Sequence, residues 1–554
     1  MPFMSFRLFL FFLMALSLNL SCASKAHKQS GDEEQTVSID NVKSHLYFFA
    51  DDLLEGRGTG KRGHDIAALY TAGEFAKYGL KKGGNDNSYY QNIAFRESSP
   101  ILTSPKLSFE GAQGSFSLSS PSQFVTFADI VSSDSKASAP LVFAGYGIVS
   151  PEYDIDDYAN IDVQGKIVVM LPGAPKYLPS EEGAHLSSRT LKRKTATDRG
   201  AIGVLFVFTP DFAEVVTYQQ VLTYRTSSTL AWLNDAGEPG KANLDVKGSA
   251  MLSQEAAAQL FDYAPSSIET IYQQLANDEL PKGFDIPLVA TLSSQSEHTT
   301  MVSPNVVGIF EGSDPILKHE YIVYTAHLDH TGIAHSVMQD KINNGAMDNA
   351  IGSSILLETA RMFANMPIAP KRSIIFVALT GEEAGLLGSQ YFASFPTVAK
   401  GSIVANVNLD MPILLYDFSS IIAYGAEHSS IKGAIESAAK SANVKMIPDP
   451  YPEQNNFTRS DHYSFVEQGI PSVYLDTGTT SFNPNENVDE IVGNFLANTY
   501  HKPSDDLSQN FNWKAMGRFT EINFRIGLIL ANDDNKPSWN EGNYFGEKFA
   551  QDKE

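Results

Sequence analysis

Short, uncharged apolar runs recur through the second half of the chain, separated by stretches whose apolar residues fall three and four apart. The runs at 321–326 (YIVYTA), 373–379 (SIIFVAL), 402–409 (SIVANVNL) and 471–475 (PSVYL) have the length and β-branched content of strands buried on both faces. Helical spacing is found at 350–363, 384–393, 431–441 and 519–531. Alternation of this kind predicts an α/β fold, with a mixed, mostly parallel sheet flanked by helices. Upstream, helices are expected at 45–54 and 66–78, the second carrying Ile66, Leu69, Ala72, Phe75 and Ala76 on one face and ending at Gly79. Strand-like material begins at Tyr89. Between 129 and 286 the texture changes to short β-like runs at 141–148, 165–171 and 203–208, with a basic helix at 189–198. Strand patterns then resume at 287–292 and 304–310. The 129–286 region therefore reads as an inserted β-rich α/β domain interrupting a main body of 37–128 and 287–540, followed by a C-terminal tail at 541–554. Its one histidine, His185, reads as a surface residue.

The first 23 residues form a secretory signal, in which Arg7 precedes an apolar stretch at 8–18 that is too short to span a bilayer. The chain is thus expected to be exported by a bacterium, as a periplasmic protein, an outer-membrane lipoprotein or a secreted protein. Cys22, the single cysteine, stands where a lipid anchor would be attached, although Ser21-Cys22-Ala23 also suits small-x-small cleavage. Such an anchor is the one membrane attachment expected. Residues 24–36 are polar and aperiodic, as in a flexible tether. A length of 554 residues calls for two to four domains, and a mature chain without cysteine pairs must rest on its apolar cores. The formal charge of −23, with no basic patch standing out, argues against a nucleic-acid binder.

Chemistry gathers where the runs end. His327 and Asp329 follow the first, Glu382 and Glu383 the second, and Asp410 the third, at the strand ends where open α/β sheets bind ligands. Asp348 precedes a helix and His501 lies in a loop. Two histidines among several carboxylates suit Zn²⁺, with Mn²⁺ or Co²⁺ as substitutes.

His327-Leu-Asp329, Gly345-Ala-Met-Asp348-Asn349, Glu382-Glu383, Asn408-Leu-Asp410-Met and Tyr500-His-Lys-Pro-Ser-Asp505 resemble, in order, five blocks of the zinc exopeptidases. That family includes bacterial leucyl aminopeptidases, aminopeptidase Y and glutamate carboxypeptidase II. Asp51-Asp-Leu-Leu-Glu-Gly-Arg-Gly-Thr-Gly60 is similar to the opening block of its domain-bearing bacterial branch, and the inserted region resembles a protease-associated domain. The resemblance implies a zinc-exopeptidase, phosphorylase/hydrolase-like fold and a pair of zinc ions. Asp348 would bridge them, with His327 and Asp410 completing one site and Glu383 and His501 the other. Glu382 would be the general base, and Asp329 would accept a hydrogen bond from the ring of His327. Tyr500 either donates to the substrate carbonyl or is an ordinary half-buried tyrosine. Arg459-Ser-Asp461-His462 is similar to the family's segment lining the substrate pocket.

The implied activity is that of a zinc metallopeptidase, foremost an aminopeptidase acting on peptides with a free N-terminus. A carboxypeptidase or dipeptidase, a single-zinc glutaminyl cyclase and a non-catalytic binding ectodomain are the alternatives within reach of the same fold. Oligomeric state and the preferred residue at the cleaved end are not written in these motifs.

Overall fold

The computed structural model describes residues 36–334 and 339–550; the expected signal, Cys22 and nearly all of the tether lie outside them. No helix among the described residues is long and apolar enough to cross a membrane.

Four parallel strands form the centre of the main sheet, in the order Ser373–Leu379, Tyr321–His327, Ile403–Asn408, Ser472–Thr477. Antiparallel neighbours extend it on both sides, so the sheet is mixed, as expected. Side chains of these strands alternate between two cores. Ile322, Tyr324, Ala326, Ile374, Phe376 and Ala378 meet the helices Ile39–Phe49, Ile351–Ala364 and Trp513–Asn532. Val323, Ile375, Val377 and Leu379 face Phe392 and Phe465 on the opposite side. Both faces are dry, which is why these runs carry no charge.

Several boundaries differ from expectation for local reasons. The first helix starts at Ile39 rather than 45, because the Ser38 side chain accepts a hydrogen bond from the Asn41 amide and caps it. The segments expected separately at 287–292 and 304–310 are parts of one 27-residue strand, Phe284–Phe310. Its polar middle gives no strand pattern, yet the backbone there pairs with Tyr90–Pro100. The same strand pairs nearer its start with Asp134–Phe143 and Lys106–Gly111, in a second sheet that also contains Ile167–Met170, Gly203–Val207 and Ser249–Leu252 and has its own core. One strand from the middle of the chain, Thr229–Trp232, returns to pair with Tyr90–Pro100.

One reading is corrected. His185 is buried rather than superficial, and its Nδ1 lies 2.6 Å from the hydroxyl of Tyr463. The expected C-terminal tail contains a helix, Tyr544–Phe549, because Phe545 is drawn into a cluster with Phe457 and Tyr463.

Candidate metal centre

His327 is the last residue of its strand, Glu382 and Glu383 lie in the turn after Ser373–Leu379, and Asp410 lies two residues beyond Ile403–Asn408. Because the three strands are parallel neighbours, their carboxyl ends bring these side chains together. Asp348 projects from an irregular turn, Ala346–Ala350, that leads into Ile351–Ala364. Its two oxygens point to different partners. Oδ1 is 3.2 Å from His327 Nε2, which is itself 3.0 Å from Asp410 Oδ1. Oδ2 is 3.1 Å from His501 Nε2, which lies 3.2 Å from Glu383 Oε2. Donors bound tetrahedrally at about 2.0–2.1 Å from one zinc ion stand about 3.3 Å apart, so this spacing fits two metal positions on either side of Asp348. Glu382 stands back, with Oε2 4.0 Å from His327 Nε2.

The chemistry of the donor set fits a cation as well as the spacing does. Carboxylates crowd a buried space in which imidazoles are the positive partners. Burial alone would raise Asp348, but hydrogen bonds from His327 and His501 hold it well below the ordinary carboxylate range. Conversely, burial disfavours protonated His501, yet Asp348 and Glu383 raise it to about 10. Divalent ions would supply the positive charge that protons on the rings supply without them. Glu382 behaves differently. Burial, reinforced by Asp410, Glu383 and Asp461 against the field of His327, pushes its carboxyl well above the usual range.

The surrounding groups fix the donors through the main chain. His327 Nδ1 meets the backbone carbonyl of Asp329 at 3.0 Å, not its carboxylate as expected, because the turn after the strand folds that carbonyl over the ring. The Asp329 carboxylate instead accepts from the Glu382 amide at 3.1 Å and from Thr59 Oγ1 at 3.0 Å. Asp505 accepts from the amides of Met347 and Asp348 at 2.8 and 3.0 Å. Asn349 accepts from the Met411 amide and donates to the Leu409 carbonyl, tying the Asp348 turn to the Asp410 loop. Ser460 Oγ donates to Asp410 Oδ2. Gly345 is obligatory. Its φ is 58°, and a Cβ there would lie 2.1 Å from the Asp348 carbonyl oxygen.

All eight site residues named from the sequence lie in or beside this cluster, and His330 joins them unannounced. It is buried, and its Nδ1 is 2.5 Å from Glu383 Oε1, so that His330, Asp348 and Glu383 form a second group within metal-ligand reach, beside His327, Asp348 and Asp410. The available signal was the i, i+3 histidine pair in His327-Leu-Asp-His330. Arg57, within the opening block Asp51–Gly60, is a further buried member beside the cluster. Half-buried Tyr500 stacks on His501 at 3.9 Å between ring centres and lines a cavity of about 370 Å³ together with His327, Asp348, Glu382 and Asp410. Arg459 and Ser460 also line it, while Asp461 and His462 are buried behind.

A paired, asymmetric set of histidine and carboxylate side chains thus stands at the carboxyl edge of a mixed α/β sheet, within reach of a metal ion. Consistent with this, residues 305–526 match the profile of Peptidase family M28. Aminopeptidase YwaD of Bacillus subtilis is 29% identical over 215 residues, 38% of this chain and 41% of that protein. A probable glutamate carboxypeptidase of Arthroderma benhamiae is 27% identical over 42% of this chain and 31% of its own length. The chain thus spans less than half the length of these curated relatives. The solved aminopeptidase from Aneurinibacillus sp. strain AM-1 aligns over 90% of this chain and 94% of that one, at 18% identity and a TM-score of 0.49.

Proposed function

We propose that the protein is a two-zinc aminopeptidase that removes N-terminal residues from peptides with a free α-amine. The observation that carries this reading is the division of the Asp348 carboxylate between two donor sets, His327 with Asp410 and His501 with Glu383. Those five residues would hold the ions, with Mn²⁺ or Co²⁺ as substitutes. Bound there, the ions supply Lewis-acid polarisation of the peptide carbonyl and acidify water.

The remaining work belongs to the chain. Glu382 stands beside the donors, with its backbone N–H donating to the Asp329 carboxylate, and its Oε atoms are available to take the proton of the attacking water. The same carboxyl can then return that proton to the departing amine. Tyr500 is kept protonated by burial and the carboxylates facing it, and its O–H can donate to the carbonyl oxygen as negative charge develops. The free α-amine is attracted by the surplus carboxylates. The second sheet corresponds in this reading to the inserted protease-associated domain, and the apolar N-terminal segment to an export signal with a possible lipid site at Cys22.

Glu382→Gln separates proton transfer from metal binding. It is expected to retain the metal content of the wild type by atomic absorption and to lose about 10²–10⁴ in kcat on aminoacyl-nitroanilides. Hydrolysis at the wild-type rate would remove Glu382 from its role. Cleavage of N-terminally blocked peptides alone would overturn the aminopeptidase reading.

A further inference from the structure

The cavity beside the donor cluster contains a carboxylate that neither the donors nor the proton shuttle use. Asp476 lies near the end of Ser472–Thr477, on the face of the strand that also presents Tyr474, and lines the cavity wall. Its Oδ1 accepts from the Thr477 amide at 2.6 Å and, more weakly, from the Ile413 amide at 3.4 Å. Among the described residues no hydrogen bond reaches its Oδ2. The side chain is therefore fixed through one oxygen and presents the other to the cavity.

Two features define what that oxygen can receive. The first is distance. Ile413 is three residues beyond Asp410, a separation that an extended chain covers in at most about 10 Å, so the Asp476 carboxylate is tied to the loop that carries one of the donors, and both line the same cavity. The second is the lining of the cavity they share. Ile413, Ile422, Val488, Val492 and Leu496 contribute aliphatic wall, and the volume of about 370 Å³ is at the small end of ligand pockets. A cavity with aliphatic wall and a carboxylate in its lining matches a side chain with a methylene stem and a cationic head, since such residues lay the stem along apolar surface and take the charge to a polar partner. Asp489, also on the wall, adds a second negative group, whereas the one lysine or arginine among the described lining residues, Arg459, is exposed.

We propose that Asp476 is a specificity-determining residue and that the cavity selects lysine or arginine as the N-terminal residue of the peptide. This rests on the aminopeptidase reading above, which supplies the orientation of the substrate. Burial raises the empty Asp476 carboxyl to about 7, with the field of Asp410 adding to it, and an entering ammonium or guanidinium favours the ionised form. The overall charge of −23 works in the same direction by concentrating cationic peptides near the surface.

Two measurements on the zinc-loaded protein test this. Calorimetric titration with lysinamide and norleucinamide compares ligands that share the α-amine and the stem and differ in the terminal ammonium. Lysinamide is expected to bind at least about tenfold more tightly, and Lys-nitroanilide to exceed Leu-nitroanilide at least about tenfold in kcat/KM. Asp476→Asn keeps an oxygen for the Thr477 and Ile413 amides, and it is expected to reduce both ratios to about threefold or less while the thermal melt shows a folded protein. Equal binding of the two amides by the wild type, a preference for Leu or Phe substrates, or ratios unchanged in Asp476→Asn would each overturn the proposal. Lysinamide selectivity without hydrolysis of any aminoacyl substrate would uphold the selectivity of the cavity and overturn the aminopeptidase reading.

Discussion

Arg57 is a buried cation whose donors all go to main-chain carbonyls. It reaches Leu328 O at 2.8 Å, Asn344 O at 2.6 Å, Gly345 O at 3.0 Å and also Phe49 O. The first lies in the loop of Asp329 and His330 and the next two in the turn before Asp348, so one guanidinium spaces two donor-bearing segments. Burial lowers its pKa only to about 10, and it remains charged at neutral pH. That charge falls on His64, which is fully buried, contacts Ser303 Oγ at 3.2 Å through Nδ1, and is held neutral, at about 3, first by burial and then by Arg57. Because the folded value lies below the ordinary 6.5, the unfolded chain takes up this proton first. The contribution of neutral His64 is full above about pH 6.5 and declines as pH falls toward 3, by about 1.4 kcal/mol per pH unit. Wild type should therefore lose stability relative to His64→Gln between pH 7.5 and 5. The difference in Tm of the two proteins at those pH values measures it, and a constant difference would show that His64 carries no such shift.

Helix Trp513–Asn532 lies against the main sheet through a glycine. A Cβ on Gly527 would fall 2.0 Å from the Tyr324 hydroxyl and 2.7 Å from its ring, and that hydroxyl donates to the Asn523 carbonyl at 2.5 Å. Gly527→Ala should cost about 1–3 kcal/mol through overpacking, seen as a lower Tm. Tyr324→Phe in the same chain should recover part of the loss, since it removes the nearest atom. A double variant no better than the sum of the two single ones would place the strain elsewhere. This contact also marks what residue patterns convey. The parallel strands were legible because both faces are dry, and the blocks of His327, Glu382-Glu383 and Asp410 because each follows such a run. The middle of Phe284–Phe310 was not, since its polar side chains sit on a strand whose pairing is carried by backbone alone. For the same reason the placing of Asp348 by Arg57 and Asp505 left little trace: amides and carbonyls make those bonds, and every residue type has them. His185 was misread because its partner, Tyr463, is distant in the chain.

At the scale of the molecule, the two sheets share more than a boundary. Phe284–Phe310 hydrogen-bonds into both, Thr229–Trp232 crosses to Tyr90–Pro100, and polar contacts link the middle region to the later part of the chain at His185 with Tyr463, Glu181 with His428, and Lys241 with Glu467. Melting the second sheet would leave the first half of Phe284–Phe310 unpaired and expose His185 and Tyr463 together, so residues 37–550 are expected to unfold in a single calorimetric transition. The donors come from five separate segments of the main body, and an ion bound there stabilises only the assembled state. At a free concentration about 1,000 times its Kd the gain is about 4 kcal/mol. Removing metal with a chelator should therefore lower the Tm of the whole transition, and adding Zn²⁺ back should restore it. Cooperativity is what makes this informative. If the trace instead splits on chelation, with one component unmoved, the second sheet unfolds independently and the shared strand does not couple the two. If the single transition does not move, the cluster around Asp348 does not bind a metal that stabilises the fold.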